Sequence, residues 1–184
     1  TRSGNPLTDD LHPAYEHLDV TSLRDVRRRT RHLDVLLHVA GRVDFSRRGA
    51  RRTWEVNVLG TRNVLEAALA NGIRKVVCVS SICVVGPAPE GRRLADEDAA
   101  RYGVAGNPIA FRDADDALAA VRASLDGDWA FLRRIRVPYF DAKLAAWELA
   151  LDYHRRHGVP VVCVFPGTAV GAGDTGMSIG GLVE

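Results

Sequence analysis

The chain has 184 residues, 46% of them hydrophobic and 26% charged, with a formal net charge of +2. That is ordinary globular usage for one domain or one domain with an appendage, and it argues against intrinsic disorder. A charge this small gives no reason to expect nucleic acid or a membrane surface as a partner.

The three cysteines, Cys78, Cys83 and Cys163, lack metal-ligand spacing, which fits a reducing cytoplasm better than a disulfide framework. No apolar run is long enough to span a bilayer, and no signal peptide is visible. Arginines cluster at 27–29, 51–52 and 133–134 within helix-like stretches and read as solvated faces. The chain opens on Thr1-Arg2-Ser3-Gly4, which points to a processed or incomplete polypeptide.

In chain order, residues 15–20 predict a short strand ending near Asp19 and Val20, and Thr21 a cap for an arginine-rich helix over 22–31. Residues 34–39 form a continuous apolar run bounded by Asp34 and by Ala40-Gly41, as in a strand buried on both faces. A helical period over 49–71 ends at Asn71-Gly72, and residues 74–80 predict the next buried strand. The prolines, glycines and acids of 86–98 read as loop. A helix over 111–126 would carry Leu118, Val121 and Leu125 on one side. Another is expected over 138–157, with Pro138 at its start and Gly158 after its end. Residues 160–165 predict a further buried strand, and the glycine-rich 166–184 reads as loop.

Buried strands alternating with helices imply an α/β fold built on a parallel sheet. Ligands in such sheets lie beyond the carboxyl ends of the strands. Those ends carry Asp19-Val20, Ala40-Gly41, Ser80-Ser81 and Pro166-Gly167-Thr168.

Four motifs carry chemistry. Tyr139 and Lys143 stand four apart, on one face of a helix. An ammonium beside a phenol favours phenolate and suits the tyrosine to acid–base work on an alcohol–ketone pair. By itself such a pair is commonly a surface feature. Ser80 and Ser81 close a buried strand, followed by Gly86, where a hydroxyl reaches either a ligand or a turn amide. Asn57 and Gly60 sit inside a helix, and the glycine there requires a packing reason such as close strand approach. His38 lies in an apolar run and reads first as a satisfied core histidine.

The succession of these motifs, His38-Val39-Ala40-Gly41, then the helix from Asn57 to Ala68, then Val79-Ser80-Ser81, then Tyr139-Phe140-Asp141-Ala142-Lys143, then Pro166-Gly167-Thr168, resembles the extended short-chain dehydrogenase/reductases. The resemblance covers roughly 15–100 and 137–176 and is strongest to the dihydroflavonol reductase, hydroxysteroid dehydrogenase and sugar epimerase branches. It implies a partial Rossmann-like, doubly wound parallel sheet that binds NAD or NADP. It implies that Ser81 holds the reacting oxygen, that Tyr139 moves the proton, and that Lys143 tunes Tyr139 and holds a ribose. It further implies cofactor contacts at Asp19, Val20, Val39, Ala40, Gly41, Asn57, Ser80, Pro166 and Thr168, with Arg2 beside a 2′-phosphate, which favours NADP.

Three departures qualify the pattern. The family's Gly-x-x-Gly-x-x-Gly turn, which holds pyrophosphate on helix N–H groups, does not occur before the first predicted strand. With it would go the first two strands, leaving strand edges and an apolar face open, and the carboxyl-terminal substrate lobe is also expected to be missing. The interval from Ser81 to Tyr139 is longer than usual, so 101–137 reads as an insertion: a lid, an oligomer contact or a surface decoration. Ala142 and Phe165 replace residues usual in the family, the second weighing against a sugar-nucleotide substrate.

The expected function is interconversion of a ketone and a secondary alcohol by hydride transfer, with a small carbonyl or alcohol as partner. The alternatives are a nucleotide-sugar epimerase or dehydratase, and a non-catalytic fragment acting as a binding module.

Overall fold

The computed structural model describes residues 16–88, 90, 91, 93, 95, 102 and 108–167. The elements are α1 (Leu23–Arg29), β1 (Val35–His38), α2 (Ala50–Trp54), α3 (Gly60–Asn71), β2 (Lys75–Val79), α4 (Ala114–Leu125), α5 (Pro138–His157) and β3 (Val161–Val164). The strands form one parallel sheet in the order β1-β2-β3, registered Leu36↔Val76↔Val161 and His38↔Cys78↔Cys163. This is the α/β, partial Rossmann-like architecture that alternating strands and helices imply.

Strand alternation sends Leu36, His38, Val76 and Cys78 to one face, where α3 and α5 lie and all four are buried. The opposite face carries Val35, Leu37, Val39, Val162 and Val164, which are 38–66% exposed. The expectation that β1 is buried on both faces is therefore corrected: among the described residues, helices cover one face only.

Residues 16–20 form no strand, contrary to expectation. Among the described residues β1 has no paired neighbour on that side, and local bonds hold the segment. The Asp19 carboxylate accepts from the backbone N–H and the hydroxyl of Thr21, and the Val20 carbonyl accepts from the Asn63 amide. Ser22, not Thr21, caps α1, its hydroxyl accepting from the Asp25 N–H.

α2 and α3 are one continuous helical run broken by a π-turn at Glu55–Leu59, with Asn57 inside it. Such turns add a residue and re-aim side chains. Gly60 follows, and a Cβ built there would stand 3.0 Å from Val20 Cγ1. Its packing reason is the turn at Val20 rather than a strand. α3 closes on Gly72 in the left-handed conformation.

The segment between Ser81 and Tyr139 contributes to the core. α4 begins at an Asp113 cap and packs on α5, burying Leu118 and Val121, while Leu125 is exposed, contrary to expectation. Trp54, fully buried, stacks on Phe131 at 4.6 Å between centroids and donates its indole N–H to Ser124 Oγ at 3.0 Å. The α4 helix thus lies in the core rather than over the strand ends as a lid. Arg47 ties the following turn down by donating to the carbonyls of Arg133 and Ile135.

Candidate active site at the carboxyl ends of the strands

β2 delivers Ser80 and Ser81 to its carboxyl end, and the first two turns of α5 deliver Tyr139 and Lys143. Pro138 at the start of α5 costs no hydrogen bond, because the first helical N–H groups have no intrahelical partner. Ser81 caps a 3-10 turn over Ile82–Val84 and accepts from the Cys83 N–H at 3.4 Å. It lines the same cavity as Tyr139. Lys143 Nζ donates to the Val79 carbonyl at 2.9 Å and lies 5.8 Å from the centre of the Tyr139 ring.

Burial dominates the electrostatics. It raises the Tyr139 pKa above its ordinary 10, opposed by the nearby Ser81 hydroxyl. It lowers that of Lys143. The expectation that the lysine draws the phenol down is thus not met by the chain alone. His38, on the inner side of Lys143, is held down to about 4, first by burial and then by the Lys143 charge. Its Nε2 meets Thr61 Oγ1 at 2.9 Å, and Thr61 donates to the Asn57 carbonyl, so it is a satisfied core histidine.

A cavity of about 240 Å³ joins Ser80, Ser81, Tyr139 and Lys143 to Val39, Gly41 and Pro166. Val39 also borders a separate groove of about 560 Å³ lined by Val20 and Ala40. Asp19 lies apart, on a shallow surface beside Ser22 and Arg24. Asn57 does not reach the cavity. Its side-chain amide accepts from the Arg42 N–H and donates to the Arg42 carbonyl, fixing the loop after β1. Behind Lys143 is a closed space of about 20 Å³ bordered by His38, Asn57 and Thr61, room for about one water. Arg2 and Thr168 lie outside the described residues.

Three nearby residues were not singled out from sequence. Phe45, 56% exposed, sets its ring edge-on to Tyr139 at 5.6 Å between centroids. Cys83 hydrogen-bonds Ser81, and burial raises its pKa. Asp141 is wholly buried two residues before Lys143, on another face of α5. An aromatic or an acid at such positions has no distinguishing spacing.

The donor set fits the nicotinamide-ribose end of a dinucleotide. Ser80 Oγ is buried without a hydrogen-bond partner. Gly41 leaves Lys143 Nζ uncovered, since a Cβ there would stand 3.5 Å from it.

Fold and motif order make this an extended short-chain dehydrogenase/reductase. The 3-beta hydroxysteroid dehydrogenase/isomerase family matches residues 7–107, and the chain belongs to that family. It is 45% identical over 74 residues to human 3 beta-hydroxysteroid dehydrogenase type 7, a match covering 40% of this chain and 20% of that protein. It is 39% identical over 62 residues to a putative dihydroflavonol 4-reductase of Synechocystis, covering 34% of this chain and 18% of that one. Its fold is similar to RMD from Pseudomonas aeruginosa complexed with NADPH (TM-score 0.62, 23% identity, 89% of this chain and 46% of that one). It is also similar to Thermus thermophilus UDP-glucose 4-epimerase complexed with NAD (TM-score 0.53, 21% identity, 80% and 39%). The chain spans less than half of each of these structures. No described helix is long and apolar enough to cross a membrane.

Proposed function

We propose that this chain carries the proton-handling site of an NAD(P)-dependent oxidoreductase that interconverts a ketone and a secondary alcohol. The observation that carries the reading is that Ser81, Tyr139 and Lys143 line one cavity at the carboxyl end of β2. In this reading Ser81 steadies the carbonyl oxygen and Tyr139 gives it the proton. Lys143, anchored on Val79, offers its remaining N–H donors to ribose hydroxyls and its charge to the phenolate left behind. The bound nicotinamide supplies the hydride. Ser80 Oγ and the open approach over Gly41 lie on the same wall, while Val39, Ala40 and Val20 border the separate groove, which takes the adenosine end. Pro166 borders the nicotinamide end, and Asn57 serves by holding the loop that contains Gly41. Asp19 and Thr168 complete the cofactor contacts, and Arg2 inclines the choice to NADP over NAD. Residues 101–137 are an insertion in this reading.

Ketone reduction is preferred to sugar-nucleotide epimerisation or dehydration because Phe165 packs on Trp147 at 4.6 Å, leaving an aromatic where that chemistry commonly has a cation. The non-catalytic alternative is separated by assay. NADPH- or NADH-dependent reduction of a panel of ketones should fall at least about 100-fold in Tyr139→Phe, within the usual contribution of a positioned acid. Equal rates in variant and parent chain would refute the reading.

A further inference from the structure

Asp141 stands between Tyr139 and Lys143 in sequence, yet faces away from the cavity they share. Its side chain is wholly buried. One carboxylate oxygen accepts from the Ala110 N–H at 2.7 Å, the other from the Arg136 N–H at 3.2 Å. Those two amides bracket the stretch that holds α4 and Phe131, whose ring packs on Trp54. One acid on the first turn of α5 therefore joins the entry and the exit of that stretch to the helix bearing Tyr139. An acid near a helix N-terminus needs neither burial nor two outside amides to suit the dipole. A carboxylate here carries a desolvation cost that only such bonds offset.

We propose that Asp141 is a positioning residue: its carboxylate clamps both ends of the 110–136 stretch onto the first turn of α5, and this clamp sets how Tyr139 meets Ser81. The inference rests on the redox reading for its catalytic consequence, but not for its geometry. The neighbouring guanidinium of Arg134 is engaged by Asp116 at 2.7 Å and, having donors only, cannot accept from the two amides. Asn at position 141 keeps one acceptor oxygen, and Ala keeps none. The effects should therefore rank Asp141→Ala above Asp141→Asn.

The test uses the 184-residue chain with 13Cζ-labelled tyrosine, which reports titration of the Tyr139 phenol without cofactor or substrate. Amide exchange at Ala110 and Arg136 is followed alongside, and kcat and KM are measured for ketone reduction. In Asp141→Asn we expect exchange at one of the two amides to rise at least about tenfold, in Asp141→Ala at both, and the Tyr139 titration midpoint to move in each. We also expect kcat to fall at least tenfold with KM within twofold. If exchange rises while the Tyr139 midpoint stays fixed, the carboxylate is merely structural and the proposal is overturned. It is equally overturned if neither changes, or if both variants unfold, since Asp141 then determines the fold rather than one local geometry. If the parent chain reduces no ketone, the redox reading fails separately, and the phenol titration still decides the role of Asp141.

Discussion

His38 and Asp141 should make opposite contributions to stability as pH changes, and removing either should expose the other. His38 is buried with its pKa lowered from 6.5 to about 4 by desolvation and then by the Lys143 charge. As pH falls below 6.5 the unfolded chain takes up a proton that the folded chain refuses, so stability is lost down to about pH 4. At about 1.4 kcal/mol per pK unit that loss is roughly 3 kcal/mol. Asp141 is raised from 3.8 to about 6 by burial, despite accepting from the Ala110 and Arg136 amides. Between pH 6 and 3.8 the folded chain holds a proton that the unfolded chain releases. Stability is therefore gained as pH falls through that window, again by roughly 3 kcal/mol. The two nearly cancel in the parent chain. His38→Gln, which keeps a donor toward Thr61, should leave the Asp141 slope alone, so stability rises as pH drops from 6.5 to 4. Asp141→Asn should show the opposite slope over the same range. Urea unfolding at half-unit pH steps measures both, and the other shifted carboxylates (Asp19, Asp25, Asp44 and Asp116, all lowered) act mainly below that range. Two variants with the pH slope of the parent chain would refute the assignment of these buried charges.

Other substitutions test the packing that supports the site. Gly60→Val should destabilise by at least about 2 kcal/mol in urea, because the new side chain meets buried Val20 at 3.0 Å or closer. Ser124→Ala leaves the fully buried Trp54 indole N–H without its acceptor and should cost about 1–3 kcal/mol. Phe45→Ala should leave stability nearly unchanged, since the ring is 56% exposed, while raising KM for aromatic or apolar ketones through loss of a wall beside Tyr139.

Much of this architecture is legible in the sequence because its signals are local. The apolar runs at 34–39, 74–80 and 160–165 each contain a strand, and Pro138 and Gly158 bracket α5 as helix-end chemistry requires. The misreadings share a cause in tertiary context. The segment from 16 to 20 has strand-like composition but pairs with no strand among the described residues, and Thr21 and Asn63 take its polar groups instead. A continuous apolar run predicts burial on both faces, yet Leu37 and Val39 point where no described helix lies. The site was legible in its parts, Ser81, Tyr139 and Lys143, because their spacing from strand and helix ends is fixed by the backbone. Asp141 was not, because its partner Ala110 lies 31 residues away and only folding of the intervening stretch brings them together. Nor was the π-turn at Asn57, which turns that side chain onto the Arg42 backbone.

The most direct test of the account is titration of the purified chain with NADPH and with NADH, followed by nicotinamide fluorescence, in parallel with Lys143→Met. The account predicts saturable binding tighter than about 100 μM, equivalent to roughly −5.5 kcal/mol, weakened at least tenfold by loss of the lysine. A folded chain that binds neither dinucleotide, or binds one regardless of position 143, would contradict the assignment of this cavity to the nicotinamide-ribose end.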